Sequence, residues 1–357
     1  METNSEIFPW FIESDSANGL IRNLIHSVCE RGEDLISPSI SPNSGTRTRE
    51  VLNVQATLSN PRARLFTSHI KEDLFNPGLA VAKFFYLLSG SNRIEDIAFY
   101  TKGAQKYTDD GIIMPGAHGY RIFYPVVGIN QFDACAELLR EWENTKRAAI
   151  TLYQPEDCGR KTKDIPCIMS IVFSARKGKL HTTVYMRANE VYQILPYDLF
   201  EFTMFAEFMA VCTDFELGYY HHISTSMHIR GEEAIKEAPT LLNEKITSKN
   251  MAPMPIETKK LRLSLIQQEN QIRKKVAFTG ADKMYSLIQE ITAQNHSYWA
   301  DLLVALSIQG FFCTHTLTEM KDFISSLELP TNFLVSCELK DFSQKRLARL
   351  SEALNKI

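Results

Sequence analysis

Two apolar runs, 167–175 and 179–187, are separated by one short turn, Arg176-Lys177-Gly178, and this pairing constrains the fold more than any other stretch. Runs rich in Val, Ile, Thr and Tyr read as strands, and a brief break containing Gly joins two of them as a hairpin. A hairpin brings its open ends together, so Cys167 and Arg187 are expected at comparable heights on neighbouring strands. Another strand is expected over 148–153. Soon afterwards, 199–213 is apolar almost throughout, with Phe and Met on every side, as in a helix buried all round. The stripe Leu20, Ile21, Leu24, Ile25 and Val28 predicts an amphipathic helix over 16–31 that ends at Gly32. Helices are also predicted over 79–88 and, capped near Asn130, over 132–143. Strands interleaved with helices indicate an α/β fold.

Near residue 231 the composition shifts, and the chain becomes charged and helical in pattern. Helices are predicted over 259–276, 282–292, 298–307, 317–327 and 342–355, after a linker at Met251-Ala252-Pro253-Met254-Pro255. We therefore expect a core domain over 1–232 and a helical C-terminal extension over 233–357. With 357 residues, 44% of them hydrophobic, the chain can bury a large core without a metal or disulfide staple. A net charge of −3 and no long Lys/Arg run argue against a nucleic-acid binder. The pairs and triplets Lys259-Lys260 and Arg273-Lys274-Lys275 read as solvated helix faces. Seven scattered cysteines without a Cys-x-x-Cys pair argue against a disulfide framework and a zinc ribbon, and no metal is expected. No window reaches the roughly 20 apolar residues of a membrane span, and the start lacks a basic leader pattern; a cytoplasmic location is expected.

Cys167 in Ile165-Pro166-Cys167-Ile168 would by itself read as an inert buried thiol. Its surroundings point elsewhere. In order along the chain stand Gly45-Thr46-Arg47-Thr48-Arg49-Glu50, Asn60-Pro61-Arg62, Leu88-Ser89-Gly90, Gly116-Ala117-His118-Gly119-Tyr120-Arg121, Arg147, Cys167, Arg187, Leu195-Pro196-Tyr197-Asp198 and Ser226-Met227-His228. Over about residues 15–232 this series resembles the thymidylate synthase and pyrimidine nucleotide (CMP/dCMP) hydroxymethylase superfamily. The resemblance implies an α/β sandwich whose mixed sheet packs against its twin in a homodimer. It also implies a transferase that adds a one-carbon unit from 5,10-methylenetetrahydrofolate to C5 of a pyrimidine nucleotide. C5 is a poor nucleophile, and covalent addition of a thiolate at C6 converts it into an enolate-like one. Such a thiolate needs positive charge beside it.

Under this resemblance Cys167 matches the nucleophile, Arg187 a phosphate-binding arginine, and Arg147, with Lys146 beside it, the position that reaches the partner's phosphate. Bidentate guanidinium contacts suit a phosphate dianion, and a surface or interfacial ion pair is the lesser alternative for either arginine. His228 matches a histidine that orders water and the base or sugar. Asp198 stands where thymidylate synthases carry Asn and cytidylate hydroxymethylases Asp, which implies CMP or dCMP. A carboxyl can accept from the cytosine amine and, when protonated, donate to N3. An aspartate this close to a helix start also reads as an N-cap. His221 and His222 read as packing residues.

The departures cluster around the same pocket. Lys83 stands where the family has a glutamate that organises proton transfer, His118 where it has tyrosine, and Arg230 where it has a second tyrosine. Ala188 replaces a serine and Glu190 an aspartate, while the N-terminal phosphate-loop arginine is displaced, with Arg47 or Arg49 as substitutes. Lys83, His118 and Arg230 would make the pocket more cationic and favour a di- or triphosphate. Two readings follow: a cytidylate C5-hydroxymethylase-like enzyme, and a catalytically inactive nucleotide-binding or assembly protein of the same fold.

Overall fold

Among the described residues, eight strands form one mixed sheet: β1 (Trp10–Ser14), β2 (Glu33–Pro38), β3 (Gly45–Leu58), β4 (Ala149–Thr151), β5 (Ile168–Arg176), β6 (Lys179–Met186), β7 (Asn189–Glu190) and β8 (Glu216–Arg230). Their spatial order is β1-β3-β8-β6-β5-β4, with β2 also on β3 and β7 on β8. The computed structural model describes residues 10–38, 45–71, 73–124, 128–245 and 247–354. Residues 1–6, on which the leader reading rests, lie outside them.

The expected hairpin is present. β5 and β6 pair antiparallel from Ile168 opposite Met186 to Arg176 opposite Lys179, with Lys177 and Gly178 in the left-handed conformation that closes so tight a turn. The longest strands, β3 and β8, are less visible in the sequence because β8 carries three histidines and a run of Ser and Thr. Their ladder skips Asn53 and Thr225, and Asn53 has a φ of 57°. Beyond this irregularity the buried positions of β8 change from Tyr220, His222 and Ser224 to Met227 and Ile229. The pairing keeps one register on both sides, so the two strands change face together at this kink, which places His228 on the face opposite His222.

The helices are α1 (Ala17–Arg31), α2 (Pro77–Ser89), α3 (Ile94–Ala98), α4 (His118–Phe123), α5 (Gln131–Glu141) and α6 (Leu195–Thr213), then α7 (Glu232–Glu237), α8 (Arg262–Val276), α9 (Ala281–Gln294), α10 (Ser297–Thr314), α11 (Leu317–Ser326) and α12 (Leu334–Leu354). Caps explain several boundaries. Ser16 accepts from the Gly19 amide at the start of α1, Asn130 from Asp133 at the start of α5, and Thr316 with Glu319 forms a capping box on α11. α6 is buried along nearly its whole length between α2, α5 and the sheet. α10 is equally buried and packs on α2, α8, α9 and α12, and Trp299 meets Phe85 of α2 edge-on at 6.2 Å.

The stretch read as a linker is instead a seated strap. Met251 and Met254 are buried; the Met251 amide donates to the Arg62 carbonyl at 3.0 Å and the Met254 amide to Glu207 at 3.1 Å. Methionine fills such apolar gaps easily, and a proline-rich segment loses few donors when buried. Helix α12 begins eight residues before its predicted start.

One sheet face is covered by α1 and α6, whereas Phe11, Tyr185 and Tyr219 on the strands remain exposed. His222 belongs to the covered side. It is fully buried, with Nδ1 3.1 Å from the Tyr220 hydroxyl and Nε2 without a partner among the described residues. Burial pushes its pKa down to about 4. Below pH 6.5 the unfolded chain therefore takes up a proton that the folded one refuses, until both are protonated near pH 4. Stability from this group is complete above pH 6.5 and falls by on the order of 3 kcal/mol towards pH 4. Urea unfolding at pH 7 and 4.5 should show that fall largely removed in His222→Phe; an equal fall in both proteins would exclude His222 as its source.

Candidate active site

The open end of the hairpin holds Cys167 and Arg187 as expected. The Arg187 amide donates to the Cys167 carbonyl at 2.8 Å. The Arg187 guanidinium donates from Nε to the Pro166 carbonyl and from Nη2 to the Ile165 carbonyl, both at 3.1 Å. Its Nη1 has no hydrogen-bond partner among the described residues, and the side chain is exposed. Cys167 also reaches solvent. The protein crowded around the thiol pushes its pKa up, Arg187 opposes this, and the Asp198 and Asp164 carboxylates add to it. The positive charge of Arg187 beside the thiol is thus offset by desolvation and two acids.

Asp198 reaches the pocket from α6. It lies one turn inside the helix, which starts at Leu195 with no side-chain cap. The N-cap reading is therefore replaced by a tertiary role: Oδ2 accepts from Asn189 Nδ2 at 2.6 Å, and Oδ1 lies 3.6 Å from Lys83 Nζ. Burial raises the Asp198 pKa and Lys83 pulls it back. Asn189 sits on β7, two residues after Arg187, so the same short segment serves both ends of the site.

Glu201, one helical turn beyond Asp198, was not singled out from the sequence. It is buried, accepts from or pairs with His118 Nδ1 at 3.0 Å and lies 3.7 Å from Lys83 Nζ. Burial opposes its charge, but His118 and Lys83 lower its pKa overall. Reciprocally, burial opposes the positive charges of Lys83 and His118, and the two carboxylates raise both pKa values. The added positive charge is therefore matched by Glu201 and Asp198, and these four side chains do not make the pocket more cationic. A sequence signal existed: acids at 198, 201 and 207 on an otherwise apolar buried helix each demand a partner.

Lys83 is held on α2, which Asn76 caps by accepting from the Leu79 amide. Its Nζ also lies 5.5 Å above the Tyr197 ring. His118 opens α4 and rests on the Phe202 ring at 5.5 Å. α4 approaches α2 so closely that a Cβ on Gly119 would collide with the Leu87 carbonyl. Glycine after His118 is what lets that imidazole come near Lys83.

The remaining candidates lie apart from this cluster. His228 faces Glu190 across the β7–β8 pairing, and its Nδ1 is 3.2 Å from the Ser226 hydroxyl, which donates to Glu50. Glu190 accepts the amides of Tyr192, Gln193 and Ile194, shaping the turn into α6, and burial lifts its pKa to about 7. Arg230 is exposed at the end of β8. Arg47 and Arg49 both bind Asp34, at 2.8 and 3.0 Å, and Arg47 also Glu232 at 2.9 Å. Lys146 and Arg147 are exposed on the loop before β4, with no side-chain partner among the described residues. No group of three or more metal-binding side chains occurs among the described residues, and no described helix is long and apolar enough to cross a membrane.

The thymidylate synthase family model matches residues 86–295, which include His118, Arg147, Cys167, Arg187, Asp198 and His228. The chain is 27% identical over 225 residues to the deoxyuridylate hydroxymethyltransferase of Bacillus phage SP01, spanning 59% of this chain and 56% of that protein. It is 28% identical over 170 residues to the protein of the same name from Pseudomonas phage M6, spanning 46% and 47%. It is 26% identical over 207 residues to a putative thymidylate synthase of Methanothermobacter marburgensis, spanning 57% of this chain and 86% of that protein. The chain thus spans about half the length of the two phage proteins. With the family model matched over more than half its length, this chain belongs to the thymidylate synthase family.

Proposed function

We propose that this chain is a C5-hydroxymethyltransferase of a pyrimidine nucleotide, with 5,10-methylenetetrahydrofolate as one-carbon donor, acting as a cytoplasmic homodimer. The observation that carries this reading is the joining of Cys167 and Arg187 at the open end of one hairpin, with the buried Asp198 close enough to perturb the thiol. Cys167 adds to C6, Arg187 uses its unpartnered Nη1 on the phosphate, and Asp198 reads the base edge. Arg147 and Lys146, exposed and unpaired, reach the phosphate bound by the other subunit, while the uncovered sheet face carrying Tyr185 and Tyr219 packs on its twin. A thiol held above its usual range must lose its proton during addition, so proton handling around Cys167 becomes part of the chemistry.

The donor supplies a one-carbon unit at the oxidation level of formaldehyde. The described residues fit it in one respect: Ile194, 40% exposed at the start of α6, offers an apolar surface for a flat ring one turn before Asp198.

Aspartate at 198 favours cytidylate. A second reading, uridylate, is favoured by Lys83: an ammonium 3.6 Å from a carboxylate sets a donor beside an acceptor, the complement of uracil O4 and N3–H. The phage relatives are named for deoxyuridylate. The inactive alternative is favoured by the raised Cys167 pKa.

Mass spectrometry of CMP, dCMP and dUMP incubated with the protein in heavy water, with and without the folate, tests these readings. Deuterium at C5 without folate and a hydroxymethyl mass gain with it are expected, and the nucleotide that reacts fastest identifies the base. Tight binding with neither change for any nucleotide would overturn the enzyme reading in favour of the inactive one.

A further inference from the structure

The pocket holds a histidine and a carboxylate in the arrangement by which many enzymes build a proton-transfer group. His118 Nδ1 is committed to Glu201 at 3.0 Å. Its other ring nitrogen, Nε2, has no hydrogen-bond partner among the described residues, and the side chain keeps 25% of its surface open. A carboxylate on one nitrogen fixes the ring orientation and tautomer and leaves the other nitrogen to exchange protons with a ligand. Glu201 is itself fixed, buried in α6 with Lys83 on its second oxygen at 3.7 Å. Asp198 and Asp164 bear electrostatically on both His118 and the Cys167 thiol. The ring therefore shares its acidic neighbours with the proposed nucleophile.

We propose that His118 is the proton-transfer group of this site and that Glu201 is its positioning residue. This rests on the covalent C5 chemistry proposed above. In the reaction without folate, the Cys167 thiol gives its proton to solvent as the Sγ–C6 bond forms and the C5–C6 π pair moves towards O4 of a uracil or N3 of a cytosine. The imidazolium gives its Nε2 proton, a deuteron in heavy water, to C5 and becomes neutral. Solvent takes the original C5 proton from the opposite face, the C6–S bond breaks, the π bond re-forms, and solvent reprotonates the thiolate and the ring. The balance is one hydrogen replaced by one deuterium, with no oxidant or reductant.

The charged groups facing His118 are Lys83 from α2, Asp198 and Glu201 from α6, and Asp164 from the loop before β5. Together the carboxylates keep the ring cationic at higher pH than a free histidine, while Lys83 opposes them. Loss of Glu201 is therefore expected to move the pH dependence of exchange downwards.

The test measures C5 deuterium exchange against pH for the wild type, His118→Gln and Glu201→Gln, with Tm and nucleotide binding checked for each. His118→Gln is expected to lose about a hundredfold to ten-thousandfold in exchange while still binding nucleotide, and added imidazole is expected to restore part of the rate in His118→Gly. Glu201→Gln is expected to shift the pH midpoint to lower pH, which a merely structural role would not do. If Glu201→Gln fails to fold, NMR titration of ring-labelled histidine in the wild type, with His118 assigned by its absence in His118→Gln, decides instead. A His118 midpoint above the ordinary histidine range supports the dyad, and one below it overturns the assignment. Wild-type exchange that survives in His118→Gln sinks this proposal alone. Absence of exchange in the wild type sinks the covalent chemistry beneath it as well.

Discussion

Cys167→Ala is expected to leave a folded protein that binds nucleotide and has lost C5 exchange and hydroxymethyl transfer. The thiol is exposed, so deleting it removes little packed surface, and the nearby hydrogen bond from the Arg187 amide runs to the backbone carbonyl of Cys167, which alanine keeps. Surface changes of this kind usually stay within about 0.5 kcal/mol, so the Tm should barely move. The chemical loss should be far larger. Without a nucleophile at C6 there is no enolate at C5, and deletion of a covalent nucleophile lowers turnover by on the order of 10⁴ to 10⁶. Exchange followed by mass spectrometry and binding followed by equilibrium dialysis would separate the two effects. Unchanged exchange in the variant would remove covalent catalysis from this protein.

The largest effect on stability is expected at Glu207, two turns beyond Asp198 and Glu201 on α6. Its carboxylate is buried and accepts from Arg64 Nη2 at 2.5 Å, Arg62 Nε at 2.7 Å and the Met254 amide at 3.1 Å. Arg64 is fully buried. Glu207→Ala leaves that guanidinium in the interior without its counter-charge and frees the strap at Met254, at a cost of about 3–5 kcal/mol. Replacing both partners, Arg64→Met with Glu207→Leu, should recover most of the loss, because much of it is an unpaired buried charge. The pH dependence has a definite sign. Burial opposes the Glu207 charge, but Arg64 and Arg62 hold its pKa below the usual glutamate value. Its contribution is therefore complete above that value and is lost as pH falls through the lower folded pKa. Chemical denaturation of the single and double variants would check both points; a double variant as unstable as the single would show that packing, not the charge, holds α6 to the strap.

Near-neighbour chemistry was legible in the sequence, and gathering across the fold was not. Helices at 16–31, 79–88 and 132–143 match α1, α2 and α5 to within two residues at each end, because apolar spacing and caps at Ser16 and Asn130 act locally. The strap at 251–255 read as a linker because proline breaks regular structure, although its methionines fill a groove that exists only once α6 has packed. β8 is not legible in the sequence because its polar residues mask the period-two pattern, and only its neighbours β3 and β6 satisfy it.

The sequence alone determined that a hairpin brings Cys167 to Arg187, since twenty residues and one turn leave the chain little choice, and that the motif order is that of the thymidylate synthase family. The tertiary structure decided what surrounds them. Lys83, His118, Asp198 and Glu201 come from α2, α4 and α6 and meet only where those helices close on one another. Only there does Asp198 cease to be a helix cap, the added cations find matching carboxylates, and Glu201 gain its partner. The reason is physical: burial and charge pairing over a few ångströms set the state of each group, and those distances arise when segments far apart in the chain pack together.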